Sequence, residues 1–179
     1  MGRRSGLPGT GLAMTGDVHE TALRMLARRA LSARELSTRL VRRGFSPRQA
    51  AAEVRRLLGA GLVNDTALAE SLAQAEVRRG RGRRAVVATL RRRGLTAAVA
   101  RARELVPEEE ERAGLARALT AASRRYPGWR QLPERRRKVV RYLLARGFDP
   151  RLVREAVAAR RGDADDAVDV EPTAAEDLP

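Results

Sequence analysis

A basic residue, a glycine and an apolar residue recur three times in this chain. The copies are Arg43-Gly44-Phe45, Arg93-Gly94-Leu95 and Arg146-Gly147-Phe148, 50 and 53 residues apart. Eight and four residues before each glycine stands an apolar pair: Leu36 and Leu40, Val86 and Leu90, Val139 and Leu143. After each copy comes a residue that caps helices: Ser46, Thr96 or Asp149. A glycine closing an apolar-periodic run ends a helix, because without a Cβ it takes the left-handed conformation at little cost. The capping side chain then starts the next helix. Upstream, each copy holds one more amphipathic stretch, marked by Leu23 and Leu26, Leu68 and Leu72, or Leu115 and Leu119. The unit is helix, helix, glycine corner, helix. Self-similarity at a nearly fixed period is the signature of a repeat array. The expected fold is all-α: three tandem three-helix repeats, helix-turn-helix-like in outline, in an elongated array whose curvature stays open.

The other helix signals fit that unit. Asp17-Val18-His19-Glu20 and Ser32-Ala33-Arg34-Glu35 have capping-box spacing. Ser46-Pro47 and Asp149-Pro150 place a cap before a proline at the first helical position. Asn64-Asp65 opens a further helix. The pattern predicts helices over 17–29, 32–43, 46–59, 65–79, 83–93, 96–105, 107–125, 134–146 and 149–161. The repeats then fall at 17–63, 64–106 and 107–161. Strand signals are weak, since aromatics make up 3% and no apolar–polar alternation is sustained. Units of about 45–50 residues lie near the lower limit for independent stability, so neighbours are expected to support one another end to end.

Charge divides the chain differently. There are 37 Lys+Arg against 22 Asp+Glu, a net +15, and Lys138 is the only lysine. Residues 1–16 are glycine-rich, with Pro8, Arg3 and Arg4, and read as a flexible basic arm. Residues 162–179 carry seven acids and no base, and read as an acidic, disordered tail. Setting aside the arm's +2 and the tail's −7 raises the body from +15 to +20. Codon preference in a GC-rich genome explains arginine in place of lysine, but not the net excess. A body so basic meets polyanions by default, and nucleic acid is the commonest.

Several classes of function are disfavoured. Without cysteine there is no disulfide framework and no zinc finger. No apolar run reaches 18 residues, so no transmembrane helix and no membrane partner are expected. The first residues lack the apolar core of a secretory signal, which leaves the cytoplasm as the expected compartment. His19, the only histidine, sits in a first helical turn and reads as structural, not as a general base. No Asp/Glu/His set has metal-ligand spacing. Gly80-Arg81-Gly82 lacks the Gly-Lys-Ser/Thr ending of a phosphate-binding loop. It reads either as a plain helix connection or as a flexible nucleic-acid contact. No catalytic residue, metal or cofactor is expected, and the chain is not expected to be an enzyme.

The arginine clusters are the functional lead. The candidate contact residues are Arg42, Arg43, Arg78, Arg79, Arg81, Arg83, Arg84, Arg91, Arg92, Arg135, Arg136 and Arg137. Part of this pattern is ordinary, because a cation in the last turn of a helix favours its dipole, and Arg43, Arg93 and Arg146 need no other reason. Arg84 and Arg91 are different: they face away from the Val86/Leu90 stripe, with Ala88 between them, and are expected to be exposed. No acid is interleaved from Val77 to Leu95. Arginines so placed pair phosphates or carboxylates bidentately. Base-reading side chains are scarce: Asn64 is a cap, and Gln49, Gln74 and Gln131 are scattered. The chemistry suits backbone contact.

These residues, in this order, resemble the RecX family of regulators of the RecA recombinase. The resemblance runs over about residues 21–160 and is strongest from Ala22 to Leu95. It rests on Leu26-Ala27-Arg28-Arg29 with Ser32 and Glu35-Leu36, then Leu40 to Gly44-Phe45. It continues through Gly61-Leu62 with Asp65 and Ala69, Arg79 to Arg84 around Gly82, the Leu90 to Gly94 corner, and Arg146-Gly147-Phe148. Leu68 stands where the family usually has an aromatic, and family lysines appear as arginines. The resemblance implies tandem three-helix modules that lie in the groove of the RecA–single-stranded DNA filament. It implies a monomer that bridges RecA subunits and damps ATP hydrolysis and strand exchange, in recombinational repair and the SOS response. It implies nothing for the arm or the tail. Two other readings stay open: a general DNA- or RNA-binding module, single- or double-stranded, and a helical scaffold for an acidic protein.

Overall fold

The computed structural model describes residues 17–165, with side chains as far as Arg160. The expected arm lies outside the described residues, as does the tail beyond residue 165. Among the described residues there are ten helices and no strand. The helices are α1 (Val18–Arg28), α2 (Ala33–Arg42), α3 (Pro47–Gly59), α4 (Asp65–Arg78) and α5 (Arg83–Arg92). They continue as α6 (Thr96–Ala100), α7 (Ala102–Leu105), α8 (Glu108–Arg125), α9 (Pro133–Ala145) and α10 (Pro150–Asp165). None of them is long and apolar enough to cross a membrane. The chain forms two compact units. The first holds the described residues up to Ser71 together with Leu90–Ala98, and the second holds Leu72–Thr89 and the described residues from Val99 onward.

In the first unit, local chemistry sets the helix ends. Ser32 and Glu35 form a complete capping box at α2, as Ser46 and Gln49 do at α3, where Pro47 takes the first helical position. Each box satisfies two backbone donors that a helix start leaves open. Gly44, at φ 97°, turns the chain from α2 into α3. The turn drops Phe45 into the core, its amide donating to the Leu40 carbonyl at 3.3 Å. Leu31, Leu36, Leu40, Phe45, Val54, Leu57 and Val63 form that core with Ala22 and Ala50. Burying each leucine contributes about 1.5–3 kcal/mol. Asp17 caps α1 through the His19 amide, at 2.9 Å. The box expected with Glu20 is absent, because Glu20 pairs with Arg24 instead, at 3.5 Å.

The second unit repeats the plan around α8, α9 and α10. Leu115, Leu119, Val139, Leu143, Phe148, Leu152 and Val153 make its core, with Trp129. The α8–α9 link is therefore packed: Trp129 is 2% exposed and its indole donates to the Ser123 hydroxyl at 2.8 Å. Four glutamates, Glu108 to Glu111, open α8, where negative charge complements the helix dipole.

Two boundaries differ from expectation. The helix expected over 96–105 breaks at Arg101 into α6 and α7. Ala102 and Val106 beyond the break are buried, and Pro107 disfavours helical geometry at Val106. At the other end, α10 runs on to Asp165. The first four residues expected in the disordered tail, 162–165, are thus helical, even though glycine at 162 is a poor helix former.

Candidate nucleic-acid interface

The glycine corners do more than turn the chain. In the first unit, the corner at Arg93-Gly94 packs on the start of α2. The Ser32 hydroxyl donates to the Arg93 carbonyl at 2.6 Å. The Arg93 guanidinium donates to the Ala30 carbonyl at 2.8 Å and pairs with Glu35, also at 2.8 Å. In the second unit, the corner at Arg146-Gly147 packs on the start of α5. The amides of Gly82 and Arg84 donate to the carbonyls of Arg146 and Gly147, at 3.0 and 2.9 Å. The Arg146 guanidinium donates to the carbonyls of Arg79 and Gly80, both at 3.2 Å. Ala30 and Gly80 are 50 residues apart, the same place in two copies. One seam is therefore built twice, each time within a single unit. Gly82 is buried in the second seam, where a Cβ would lie 2.5 Å from the Gly147 oxygen. Gly80-Arg81-Gly82 is thus a helix connection whose Gly82 is packed against the corner.

Several expected contact arginines prove to have partners. Arg79 and Arg81 approach Glu76, at 3.2 and 3.5 Å. Arg83 is half-buried, donates to the Val106 carbonyl at 2.9 Å and pairs with Glu111 at 3.3 Å. Glu111 is 2% exposed and also accepts from the backbone amides of Arg83 and Asp149, at 3.1 and 3.2 Å. It ties the start of α5 to the corner before α10. Arg135 donates to the Pro127 carbonyl, and Arg136 to the Arg130 carbonyl at 2.6 Å. Arg136 and Arg137 flank an open hollow of about 540 Å³ over Val140 and Leu144.

Others stand free as expected. Arg84 and Arg91 are exposed on α5 with Ala88 exposed between them. Neither has a carboxylate within 4 Å among the described residues, and the same holds for the exposed Arg78. Arg92 is exposed and has a partner of its own. Arg42 and Arg43 line a hollow of about 540 Å³ between α1 and α2, together with Arg24, Arg28, Arg29 and Arg39. Two arginines, one on α8 and one on α10, contrast with these. Arg112 and Arg151 each contact both Glu108 and Glu155, at 2.8–3.0 Å. Hydrogen bonds from Arg112 and then Arg151 outweigh desolvation and hold the Glu108 carboxyl below its usual range.

The model of the third three-helix domain of RecX matches residues 111–157, and that of the first matches residues 19–57. A protein of Chromohalobacter salexigens named regulatory protein RecX is 37% identical over 78% of this chain and 90% of its own length. This chain belongs to the RecX family. A second regulatory protein RecX, from Halorhodospira halophila, is 36% identical over 79% of this chain and 87% of its own. The crystal structure of RecX from Lactobacillus salivarius superposes with a TM-score of 0.72 at 16% identity, covering 81% of this chain and 94% of that one. A further crystal structure of regulatory protein RecX gives 0.67 at 20% identity, covering 79% and 71%. At those identities the structures speak for the fold alone. For this RecX-family chain, sequence reasoning missed the joining of Arg24 and Arg39 to Arg42 and Arg43. The signal was present: Arg24 and Arg28, and Arg39 and Arg43, are spaced four apart, which places each pair on one helix face.

Proposed function

We propose that this chain is a non-enzymatic regulator of RecA, mainly an inhibitor, that binds in the groove of the RecA–single-stranded DNA filament. It damps ATP hydrolysis and strand exchange by occupying that groove. The observation that carries the reading is family membership over most of the chain, among relatives named as regulatory proteins. Exposed arginines without acidic partners, Arg84 and Arg91 foremost, supply the contact chemistry. Repeats at 17–63, 64–106 and 107–161 would each touch the filament, and avidity multiplies weak contacts that share one chain. The protein acts as a cytoplasmic monomer in recombinational repair.

The test is the order of addition. RecA ATPase on single-stranded DNA is measured with the protein added before or after filament assembly. Inhibition of a preformed filament, at protein levels too low to cover the DNA, is the expected result. The second reading is a general DNA- or RNA-binding module, favoured by the arginine-lined hollow of the first repeat. It predicts inhibition only when the protein saturates the DNA.

A further inference from the structure

We infer that the hollow between α1 and α2 is a binding site for the phosphodiester backbone of nucleic acid, independent of sequence and of any protein partner. This deepens the reading above: it rests on that reading's nucleic-acid contact but not on the recombinase. Arg93 and Arg146, the last cations before Gly94 and Gly147, are both engaged in the repeated seam, on Ala30 and Glu35 or on Arg79 and Gly80. Arg43 holds the same position before Gly44, but no earlier repeat stands among the described residues for it to dock on. It is exposed, and it lines the hollow with Arg24, Arg28, Arg29, Arg39 and Arg42.

Six arginines line about 540 Å³. Two of them have distant acids, Arg24 with Glu20 at 3.5 Å and Arg29 with Glu35 at 3.6 Å. Arg28, Arg39, Arg42 and Arg43 have no carboxylate within 4 Å among the described residues. Helix dipoles account for a cation in a last turn, and Arg28, Arg39 and Arg42 occupy such turns. They do not account for two helices lining one hollow with their cations, where like charges repel. Arg112 and Arg151 show the alternative arrangement, each between two glutamates. Four arginines without an acid around one hollow call for an external anion with several charges. The guanidinium fork matches phosphate oxygens bidentately. Thr21 and Met25 are the other lining residues, so the hollow offers no aromatic ring to stack on a base and no Asn or Gln to read adenine.

The experiment uses the full chain without recombinase. Binding of a labelled 20-nucleotide oligothymidylate, and of a duplex of equal length, is followed by fluorescence anisotropy across a salt titration. The groove variant is Arg39→Glu with Arg42→Glu. The control is Arg117→Glu with Arg154→Glu, an equal charge change at exposed positions of the second unit. The groove variant is expected to lose at least about tenfold in affinity, and its log–log salt slope on single strands to fall by about 1.4, at roughly 0.7 per phosphate contact. The control is expected to keep the wild-type slope. Whichever nucleic acid shows the larger slope change is the form the groove takes. Equal losses in both variants, or no loss in the groove variant, would overturn the site. If circular dichroism shows that the Glu pair does not fold, Arg39→Gln with Arg42→Gln answers the same question. Wild-type protein that binds DNA through the groove yet leaves RecA ATPase untouched would sink the regulatory reading and not this one.

Discussion

Two buried carboxylates hold more of this molecule than their number suggests. Glu53 is 6% exposed, accepts from Arg56 at 3.0 Å and lies 2.7 Å from the His19 ring, tying α1 to α3. Burial pushes its pKa up, but the bonds to Arg56 and His19 win and hold it below its usual 4.5. A lowered folded pKa means stability present above the unfolded value and lost as pH falls through the folded one. Urea midpoints should therefore drop below about pH 4.5, and Glu53→Gln should flatten that drop. An unchanged pH slope in the variant would contradict the assignment. Glu111 has a larger role, with two backbone amides and Arg83 on one side chain. Glu111→Ala strands Arg83 in a half-buried site, and should cost about 3–5 kcal/mol in urea unfolding. A loss under about 1 kcal/mol would mean that water takes the carboxylate's place. Neither pair could be read in the sequence as a contact. His19 was legible as structural, but its partner lies 34 residues away, and that of Arg83 lies 28. Scanning Val77 to Leu95 for acids gave the wrong picture of Arg83 and Arg93, because their acids come from α8 and α2.

At the scale of elements, the glycine corners were fully legible. Gly44, Gly94 and Gly147 have φ of 97°, 71° and 82°, and each ends the helix that its apolar pair predicts. The second use of the corner was not legible. Period and capping residues report what a segment does locally, whereas the seam depends on which carbonyls lie opposite in space. The break at Arg101 escaped notice for the same reason, since Ala97 to Ala102 favours helix on propensity alone. Gly147 tests the seam directly. A Cβ there would meet the Ala85 amide nitrogen at 2.5 Å, on a backbone already left-handed. Gly147→Ala should destabilise by roughly 2–4 kcal/mol, combining backbone strain with overpacking. Gly61→Ala is the control: it has φ of 70° but nothing within 4 Å, so only the strain of about 1 kcal/mol applies. Equal urea midpoints for the two variants would mean that the seam carries no close packing.

At the scale of the whole molecule, charge is what remains to be explained. The ion pairs neutralise part of the arginine excess and leave the α1–α2 hollow and the outer face of α5 open. Arg84→Glu with Arg91→Glu should weaken filament binding while leaving helicity unchanged, since neither side chain has a packed role. Full binding in the folded double variant would move the contact face elsewhere. Residues 166–179 hold five acids and no base. Deleting them should raise DNA affinity at low salt, where the Debye length is longest, and the gain should vanish at high salt. A salt-independent gain would rule out electrostatic competition.

The proposed role turns on action at an assembled filament. The most direct measurement is a titration of preformed RecA–single-stranded DNA filaments with this protein, reading ATP hydrolysis against the amount bound. Hydrolysis is expected to fall in step with groove occupancy while the DNA stays bound to RecA, and Arg84→Glu with Arg91→Glu to shift the curve to higher protein. Hydrolysis that falls only as DNA is stripped from RecA, in proportion to the DNA covered, would contradict it.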